Sequence, residues 1–559
     1  MNGLGSFVLV LHGHMPWVLN HGRWPHGEHW LYEAALGVYL PLLSTVEEVS
    51  ASAGRSGITL GLTPVLLEQL AHDRFKAGFD TYLQDLIRRA RADQSSPELS
   101  ALAKWWERQL TGRLDQFHAI GGDIVGAFAA HARAERIELL SSFATHGYAP
   151  LLLHDQAIRA QLRVGLQTSE RHLGFRPEGV WLPECAFRPA GPWTPPLIHG
   201  DERNRAGVDR ILEEEGVGFF FVDAHLFEGI RSEGLVDGGS FRKVDWSEAD
   251  TYPGQGWRSV LEPHRISTLG QAASVTAFAR HPKVSEQVWS ADAGYPGDGA
   301  YLEFHKKRHG DGLRYWRVTQ RGADLGDKAW YDPAAISAAT FRQARHFGAI
   351  VSDELGMHRT RTGRPGAVVA PFDAELFGHW WFEGPQFLRD VLLHLHHNPN
   401  VQVQTASERI AAVPPDKVGW LPEGSWGEGG DHRVWLNEQS KWTWEAAYRA
   451  EDRFFTLLWD VKQHPDRAAA ARAEGALRRA ARELLLLQAS DWAFVVRTGG
   501  AVDYGFRRLA EHITRFERMA NLTQDLLAGG SPTRLQEIEL ADVDAHDDCF
   551  VDLSLDAWG

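Results

Sequence analysis

Short apolar runs alternate with longer amphipathic segments along most of the chain. Seven apolar runs each lead into a polar or glycine-bounded turn, at positions 6–11, 58–62, 124–129, 180–183, 218–222, 274–279 and 367–372. Helical periodicity occupies segments between them, at 33–49, 66–90, 132–142, 149–173, 206–215 and 333–355. Strands that alternate with helices form a parallel sheet buried on both faces. The pattern predicts an α/β barrel with its active site at the strand C-termini. An open doubly wound sheet is the alternative, although no Gly-x-Gly-x-x-Gly turn follows the first run.

Two long connections and one Pro/Gly-rich segment suggest further domains. Residues 189–205 and 227–263 are long for connections in a compact domain and are typical of lids or inserted subdomains. The segment 413–430 marks a boundary, after which helical patterns cover 442–461, 467–489 and 506–528. The acidic tail from residue 532 is predicted to add a small hairpin. A chain of 559 residues is expected to hold more than one domain.

Composition and charge narrow the class of protein. The net charge of -15 argues against nucleic acid or an anionic membrane surface as a partner, and no apolar run approaches the ~20 residues of a membrane span. The start of the chain has no basic leader, so we expect a cytoplasmic protein. Cys185 and Cys549 are the two cysteines, too few for a disulfide framework. Cys185 is expected to be a small buried hydrophobe rather than a nucleophile.

Two carboxylates stand at the ends of predicted strands. The run Gly179-Val-Trp-Leu-Pro-Glu-Cys185 leads to Glu184, and Ala367-Val-Val-Ala-Pro-Phe-Asp373 ends in Asp373. Each carboxylate alone has a second explanation, because Asp and Glu often cap the helix that follows a strand. Two of them in aromatic surroundings at the active-site edge of a barrel predict chemistry on a glycosidic bond.

The His12-Gly-His14 motif follows the first apolar run. Residues i and i+2 of a strand face the same side, so both imidazoles are expected to enter one pocket. Three interpretations stay open: neutral hydrogen-bonding groups for a polar substrate, the start of a zinc site, or structural histidines. A zinc site needs further ligands, for which His131, His146 and Asp373 are candidates.

Further candidates for substrate binding lie near the same strand ends. Arg280 ends its run where a cation facing two carboxylates would hold one of them ionised. The turn Gly294-Tyr-Pro-Gly-Asp298 lets the backbone approach a ligand closely, and His379 and Trp380 share the loop after Asp373. Tryptophan, with 22 copies, either fills the core or stacks on sugar rings. Several copies stand beside polar residues or glycine, namely Trp17, Trp24, Trp30, Trp257, Trp289, Trp426 and Trp435.

These motifs together resemble glycoside hydrolase family 57, and within it the 1,4-α-glucan branching enzymes. The matching segments are His12-Gly-His-Met-Pro16, Trp181-Leu-Pro-Glu-Cys185, Val288-Trp-Ser-Ala-Asp292 with Gly294-Tyr-Pro-Gly297, Asp373-Ala-Glu-Leu-Phe-Gly-His-Trp-Trp381, Ser425-Trp-Gly-Glu-Gly-Gly-Asp-His432 and Gln488-Ala-Ser-Asp-Trp492. They follow the family's order and span roughly residues 5–500, which makes the resemblance specific.

The resemblance implies a fold and a division into parts. It implies a distorted (β/α)7 barrel, a small inserted domain and a helical C-terminal domain. We place the barrel at residues 1–190 and 235–412, the insertion at 191–234 and the helical domain at 413–559.

The resemblance also implies a reaction. Glu184 would be the nucleophile and Asp373 the general acid/base in retaining cleavage of an α-1,4-glucan, followed by transfer to a 6-hydroxyl. The expected substrate-binding residues are His12, His14, His146, Arg280, Trp289, Gly297, His379, Trp380, Trp426, Asp491 and Trp492. The family needs no metal or other cofactor, so none is expected. The expected partner is an α-glucan such as amylose or glycogen, and the chain is expected to be a monomer.

Two departures leave the balance between branching and hydrolysis open. Thr498-Gly-Gly500 lacks the glutamine that many relatives carry, which removes one expected sugar contact. Relatives also carry a tyrosine on a mobile loop that favours transfer, and the candidate loop at 227–263 has only Tyr252. A hydrolase or 4-α-glucanotransferase of the same family is therefore the first alternative. A metal-dependent hydrolase built on His12 and His14, and a non-catalytic glucan-binding protein, are more remote.

Overall fold

The computed structural model describes residues 3–198, 200–237, 240–243, 258–267 and 275–559. Tyr252, the candidate loop tyrosine, lies outside the described residues. The strands are β1 Gly5–Gly13, β2 Ile58–Leu62, β3 Ile137–Ser142, β4 Val180–Trp181, β5 Gly191–Trp193, β6 Arg203–Arg205, β7 Phe219–Val222, β8 Arg231–Asp237, β9 Ser240–Lys243, β10 His264–Ile266, β11 Thr276–Ala279, β12 Gly366–Asp373, β13 Val401–Val403 and β14 Lys417–Trp420.

The helices surround these strands and continue beyond them to the end of the chain. They are α1 Glu28–Ala34, α2 Leu40–Ala53, α3 Pro64–Ala71, α4 Asp73–Asp93, α5 Ser100–Ala119, α6 Ile124–Arg133, α7 Asp155–Leu173, α8 Val208–Glu214, α9 Ala224–Glu228, α10 Pro282–Trp289, α11 Ile336–Thr362, α12 Gly384–His396, α13 Ala406–Ala412, α14 Lys441–Gln463, α15 Arg467–Leu487, α16 Ser490–Thr498, α17 Val502–Leu527 and α18 Arg534–His546. A π-helical turn, Ala35–Tyr39, joins α1 to α2. Within the described part of the chain, no helix has the length and apolar character to cross a membrane.

Seven parallel strands form the barrel wall. β1, β2, β3 and β4 pair in chain order, and β12 pairs with the other edge of β1. Gly179 forms a parallel bridge to Phe219, which connects β4 to β7, and β7 pairs with β11. The ring closes between β11 and β12 where the His281 N–H donates to the Val369 carbonyl at 2.9 Å. This confirms the predicted distorted (β/α)7 barrel. Few backbone hydrogen bonds connect β4 to β7 and β11 to β12.

A second group of strands extends the sheet away from the barrel. β10 runs antiparallel to β11, and β14, β8 and β9 continue the sheet beyond it. β5 and β6 form a separate hairpin. The barrel strand β7 lies inside the range 191–234, the predicted insertion. The chain therefore leaves the ring twice, once before β7 at the β5–β6 hairpin and once after it at β8–β10.

The predicted strand at 124–129 and the predicted helix at 132–142 are both wrong. Residues 124–129 begin helix α6, whose first turn is fixed because the Asp123 carboxylate accepts a hydrogen bond from the Gly126 N–H. A fully packed helix produces the same short apolar run as a buried strand. The barrel strand is instead β3, which the polar side chain of Glu138 made difficult to recognise.

The predicted C-terminal hairpin is also wrong. The acidic tail forms helix α18, which begins with a capping box between Thr533 and Gln536. A capping box satisfies two backbone N–H groups of the first turn, so it stabilises a helix where composition alone suggests an irregular tail.

A buried ionic network fixes the C-terminal helices to the barrel. Asp547 is fully buried and accepts hydrogen bonds from His21 Nε2 at 2.8 Å and Arg515 Nη1 at 2.9 Å. Trp17 Nε1 donates to the His546 carbonyl at 2.9 Å. Trp17 and His21 belong to the segment after β1, so these bonds hold residues 546 and 547 against the C-terminal edge of the barrel.

Replacement of Asp547 by alanine should destabilise the protein strongly. The buried cations around it would lose their anion, and breaking such a pair costs about 3–5 kcal/mol. Scanning calorimetry should show a clearly lower Tm. Asp552→Ala is the matched control, because its carboxylate is 73% exposed and pairs with Arg171 at the surface, where a pair contributes about 0–1 kcal/mol. Equal losses in the two variants would contradict the importance of the buried network.

Candidate active site

The C-terminal ends of the barrel strands bring polar residues together from distant parts of the chain. The register of β1 against β12 places His12 beside Asp373. Glu184 follows β4 in a short 3-10 turn, Asp223 follows β7, and Arg280 follows β11. Barrel enzymes carry their chemistry at this edge. Four of these five residues were predicted as site residues, whereas Asp223 was recognised only as the end of an apolar run.

Both carboxylate oxygens of Glu184 are held in place. Oε2 accepts a hydrogen bond from Trp426 Nε1 at 2.8 Å, and Oε1 accepts one from Ser490 Oγ at 2.9 Å. Glu184 and Cys185 both have left-handed backbone conformations, with φ of 60° and 50°. Such strain persists only where the surrounding structure enforces it, and it clusters at active sites. The Trp426 N–H also donates to the Glu184 carbonyl at 3.0 Å, which secures the turn.

Glu184 and Asp373 have different proton affinities. Burial, followed by the charges of Glu375 and Glu184, raises the pKa of Asp373 well above its usual value, and Arg280 opposes this only partly. Burial also raises the pKa of Glu184, but the two hydrogen bonds described above oppose the rise. The two hydrogen bonds therefore favour the ionised form of Glu184, whereas the neighbouring carboxylates favour the protonated form of Asp373. A retaining glycosidase requires these two states in its nucleophile and its acid.

Arg280 pairs with Asp223, a partner that the sequence did not predict, and its charge also opposes the rise in the pKa of Asp373. Its Nε and Nη2 donate to the two oxygens of Asp223 at 2.9 and 2.7 Å. Burial raises the pKa of Asp223, but a hydrogen bond from His225 and then the charge and hydrogen bonds of Arg280 outweigh it and lower the pKa to about 2. The guanidinium also lies 5.8 Å from the centre of the Trp426 ring. Arg280 thus supports the wall of the site through Asp223 and Trp426.

His12 and His146 form a hydrogen-bonded chain that leads through Ser490 to Glu184. His12 Nε2 lies 3.1 Å from His146 Nε2, and His146 Nδ1 lies 2.9 Å from Ser490 Oγ. Burial lowers the pKa of both rings well below the usual value, so both are neutral. An ionised Glu184 only accepts, so Ser490 donates to it and accepts from His146 Nδ1–H. His146 Nε2 then accepts from His12 Nε2–H, and every donor points toward Glu184.

His14 belongs to a second, more polar arm of the site. Its Nδ1 lies 3.0 Å from Thr63 Oγ1, and its Nε2 lies 2.9 Å from an Asp491 carboxylate oxygen. Burial lowers the pKa of His14, but the charge and hydrogen bond of Asp491 outweigh it and raise the pKa overall. The His14 backbone N–H donates to Glu375 Oε1 at 3.1 Å, and Tyr39 Oη donates to the same oxygen at 2.6 Å. The two arms stack at His14 and His146, whose ring centres lie 4.1 Å apart.

The metal interpretation of these histidines finds limited support. His14, His146 and Asp491 do place three possible ligand atoms within 4.8 Å of one another. Those atoms already hydrogen-bond within the protein, and a metal ion would have to replace these bonds. His131, another candidate ligand, lies on α6 with its ring 3.8 Å from Glu47, outside this group. The arrangement fits hydrogen-bonding histidines better than a zinc site.

The other predicted binding residues differ in exposure. Trp380 and Trp289 are 45% and 36% exposed, so their rings are accessible to a ligand. Burial lowers the pKa of His379 to about 4, which leaves a neutral ring 3.7 Å from Glu33. A Cβ at Gly297 would lie 2.5 Å from the Arg321 guanidinium carbon. The lack of a side chain at Gly297 therefore makes room for Arg321 of the same chain. A sugar-binding role for these four residues stays a prediction.

Trp492 does not line the site. It is 2% exposed, and its Nε1 donates to the Leu486 carbonyl at 2.8 Å. Successive side chains on a helix point about 100° apart, so helix α16 directs Asp491 toward His14 while Trp492 packs into the helical core.

Four residues of the site were missed, namely Asp223, Glu375, Ser490 and Tyr39. Glu375 and Ser490 stand inside the matching motifs, where their neighbours Asp373 and Asp491 drew attention instead. Tyr39 gives no signal in the sequence, because it contacts Glu375 from the end of a π-helical turn within an apolar segment.

Comparison with known proteins agrees with this geometry. The family model described as glycosyl hydrolase family 57 matches residues 8–422, and the model described as 1,4-alpha-glucan branching enzyme, C-terminal, matches residues 447–558. The 1,4-alpha-glucan branching enzyme TK1436 of Thermococcus kodakarensis is 39% identical over 524 residues, which cover 92% of this chain and 73% of the relative. Its crystal structure superposes with a TM-score of 0.88 at 37% identity and covers 99% of this chain and 96% of that one.

Two further solved structures share the fold over nearly the whole chain. The branching enzyme of Pyrococcus horikoshii gives a TM-score of 0.87 at 34% identity, with 99% and 97% of the two chains covered. The α-amylase AmyC of Thermotoga maritima gives 0.80 at 27% identity, with 99% of each chain covered. With the family model matching most of the sequence, the chain belongs to glycosyl hydrolase family 57.

Proposed function

We propose that this protein is a 1,4-α-glucan branching enzyme. It cleaves an α-1,4-glucan with retention of configuration and transfers the released chain to a 6-hydroxyl, forming an α-1,6 branch. One observation carries the proposal: the helical region similar to branching-enzyme C-terminal regions supplies Ser490 to the carboxylate of Glu184 at 2.9 Å. The relatives described above, two of which are named branching enzymes, support the same reaction.

In the first step the ionised Glu184 attacks the anomeric carbon while Asp373 protonates the departing glycosidic oxygen. The hydrogen bonds from Trp426 and Ser490 fix the attacking carboxylate in one orientation, which reduces the entropy lost on reaching the transition state. The product is a glycosyl ester on Glu184 and a shortened glucan chain that leaves the site.

In the second step Asp373, now ionised, accepts the proton of an acceptor 6-hydroxyl, and the acceptor oxygen displaces Glu184 from the anomeric carbon. Water at ~55 M competes for the same ester, so transfer requires an acceptor held by binding energy in a site that excludes solvent. We assign acceptor or donor contacts to Trp289, His379 and Trp380 at the rim. The α-amylase relative keeps hydrolysis as the second candidate, because water would use the same two carboxylates.

We further propose that the protein is a cytoplasmic monomer in which two parts of the chain contribute to the active site. Residues up to 412 supply the catalytic barrel and its insertions, and residues 413–559 supply the helical region that completes the site. The low cysteine content and the buried state of both thiols are typical of proteins from a reducing compartment. Light scattering coupled to size-exclusion chromatography would test the monomeric state.

Incubation with amylose should produce α-1,6 linkages. Proton NMR resolves α-1,6 anomeric signals from new reducing ends, so the two reactions are counted in one spectrum. Growth of the α-1,6 signal with few new reducing ends supports branching. Reducing ends without branches would make the protein a hydrolase with the same carboxylate pair, and an unchanged spectrum would contradict both reactions.

Glu184→Gln should abolish branching and hydrolysis together, with a loss of at least about 10³-fold, because an amide cannot form the ester. Cys185→Ser is the matched control from the same turn. Burial raises the pKa of the Cys185 thiol well above its usual value, so no reactive thiolate forms and the control should retain activity. Substantial turnover by Glu184→Gln would reject Glu184 as the nucleophile.

Ser490→Ala should lower kcat by about tenfold and move the acidic limb of the pH–rate profile upward by about one pH unit. Loss of a hydrogen bond that favours the ionised form raises the pKa of Glu184, and activity then disappears at a higher pH as the pH falls. Thr498→Ala on the same helix is the control, because its hydroxyl donates to the Phe494 carbonyl only. A lower kcat with an unchanged acidic limb would show that Ser490 does not lower the pKa of Glu184, and would leave it only a role in packing.

A further inference from the structure

A second cavity lies outside the catalytic cleft. Its volume is about 340 Å³, and it is enclosed by the π-helical turn and the start of α2, the hairpin of α4 and α5, the segment 307–336 and the loop before α12. Glu184 and Asp373 do not line this cavity, and the two residues hydrogen-bonded to Glu184 do not line it either. Small-molecule sites occupy ~300–1,000 Å³, so this volume suits one or two sugar rings.

Aromatic rings form much of the cavity wall. Trp105 meets Trp106 edge to face with ring centres 4.8 Å apart, and Phe382 lies 5.3 Å from Trp106. Tyr331 completes the group at 5.7 Å from Trp105. Aromatic faces stack on the apolar faces of sugar rings, and the packing of these four rings on one another fixes their orientation before a ligand arrives.

A buried carboxyl group contributes a polar side chain to the same wall. Glu383 is 3% exposed, and its Oε1 accepts from the Leu302 N–H at 3.0 Å. Burial raises the pKa of Glu383 to about 7, and hydrogen bonding with the Tyr331 side chain opposes this rise. Glu383 occupies the N-cap position of α12, yet its side chain makes no capping hydrogen bond. A carboxyl group in this position can hydrogen-bond to a ligand hydroxyl in the cavity.

The charges around the cavity balance. Three acidic and three basic side chains line it, namely Glu33, Asp311, Glu383, Arg113, Lys307 and Arg314. Strong preference for an anion or a cation is therefore absent, and a neutral ligand with several hydroxyl groups fits this lining. Gln109, exposed on α5, adds an amide at the edge of the cavity.

We propose that this cavity binds a glucosyl unit or a short α-glucan segment as a second carbohydrate site. The choice of an α-glucan rests on the proposed function. The site also contacts the catalytic loop: Gly378 lines the cavity, and Arg314 Nη1 donates to the His379 carbonyl at 3.3 Å. A glucan bound here would remain attached to the enzyme between catalytic events while it contacts the loop that follows Asp373.

Fluorine NMR of protein labelled with 5-fluorotryptophan tests the proposal site by site. The Glu184→Gln background prevents turnover, and maltose is the probe. Trp105→Phe, Trp426→Phe and Trp459→Phe assign the signals of the cavity, the catalytic site and a control position. Trp459 is 67% exposed on α14 and does not line the cavity. The Trp105 signal should shift saturably with maltose, whereas the Trp459 signal should stay unchanged.

Leu86→Trp distinguishes direct binding from a change transmitted from the catalytic cleft. Leu86 lines the cavity from α4, and a larger ring there occupies part of its volume. The maltose concentration at the midpoint of the Trp105 shift should rise by about tenfold or more, while the Trp426 midpoint stays the same. An unmoved Trp105 signal would overturn the proposal, and so would a Trp105 midpoint that Leu86→Trp leaves unaltered. A saturable Trp105 shift in the Glu184→Gln protein, together with no branching of amylose by the unsubstituted protein, would preserve this site and reject the proposed function.

Discussion

Two buried carboxyl groups in different surroundings are the constraint on which the site depends. Burial raises the pKa of both Glu184 and Asp373. The difference comes from two directed donors on Glu184, the Trp426 indole and the Ser490 hydroxyl. Both donors lie beyond the last barrel strand of the wall, β12. The region beyond the barrel is therefore part of the candidate active site, because it supplies both donors that favour the ionised form of Glu184.

Other titratable groups near the centre are mostly paired or neutral. Arg280 is paired bidentately with Asp223, and His14 is paired with Asp491. His12 and His146 remain neutral because burial lowers their pKa values. Burial raises the pKa of Glu375 to about 7, and the charge of Glu375 contributes to the raised pKa of Asp373. Electrostatic interactions are strong in a low-dielectric site, so these pairs and neutral rings limit the charge that acts on Glu184 and Asp373.

A series of contacts connects Asp547, near the C-terminal end of the sequence, to the active site. Asp547 joins the segment after β1 to helix α17 through His21 and Arg515. That same segment begins at His14, and α17 packs on α16, which carries Ser490 and Asp491. A buried ion pair offsets its desolvation cost only when its geometry is good. The pairs of Asp547 therefore favour one position of the helical region relative to the barrel. This position brings Ser490 within hydrogen-bonding distance of Glu184.

The sequence by itself determined the barrel and the strand-end carboxylates. Each depends on local information: apolar runs bury strands, and the residue after a strand faces the active-site edge whatever the rest of the chain does. Local information failed where a packed helix resembled a strand, at residues 124–129, and where consecutive residues diverged, at Asp491 and Trp492. The partners of the site residues were decided only by the tertiary structure. Ser490 reaches Glu184 across 306 positions of sequence and Arg280 finds Asp223 across 57, because hydrogen-bond geometry depends on how the elements pack and not on their order along the chain.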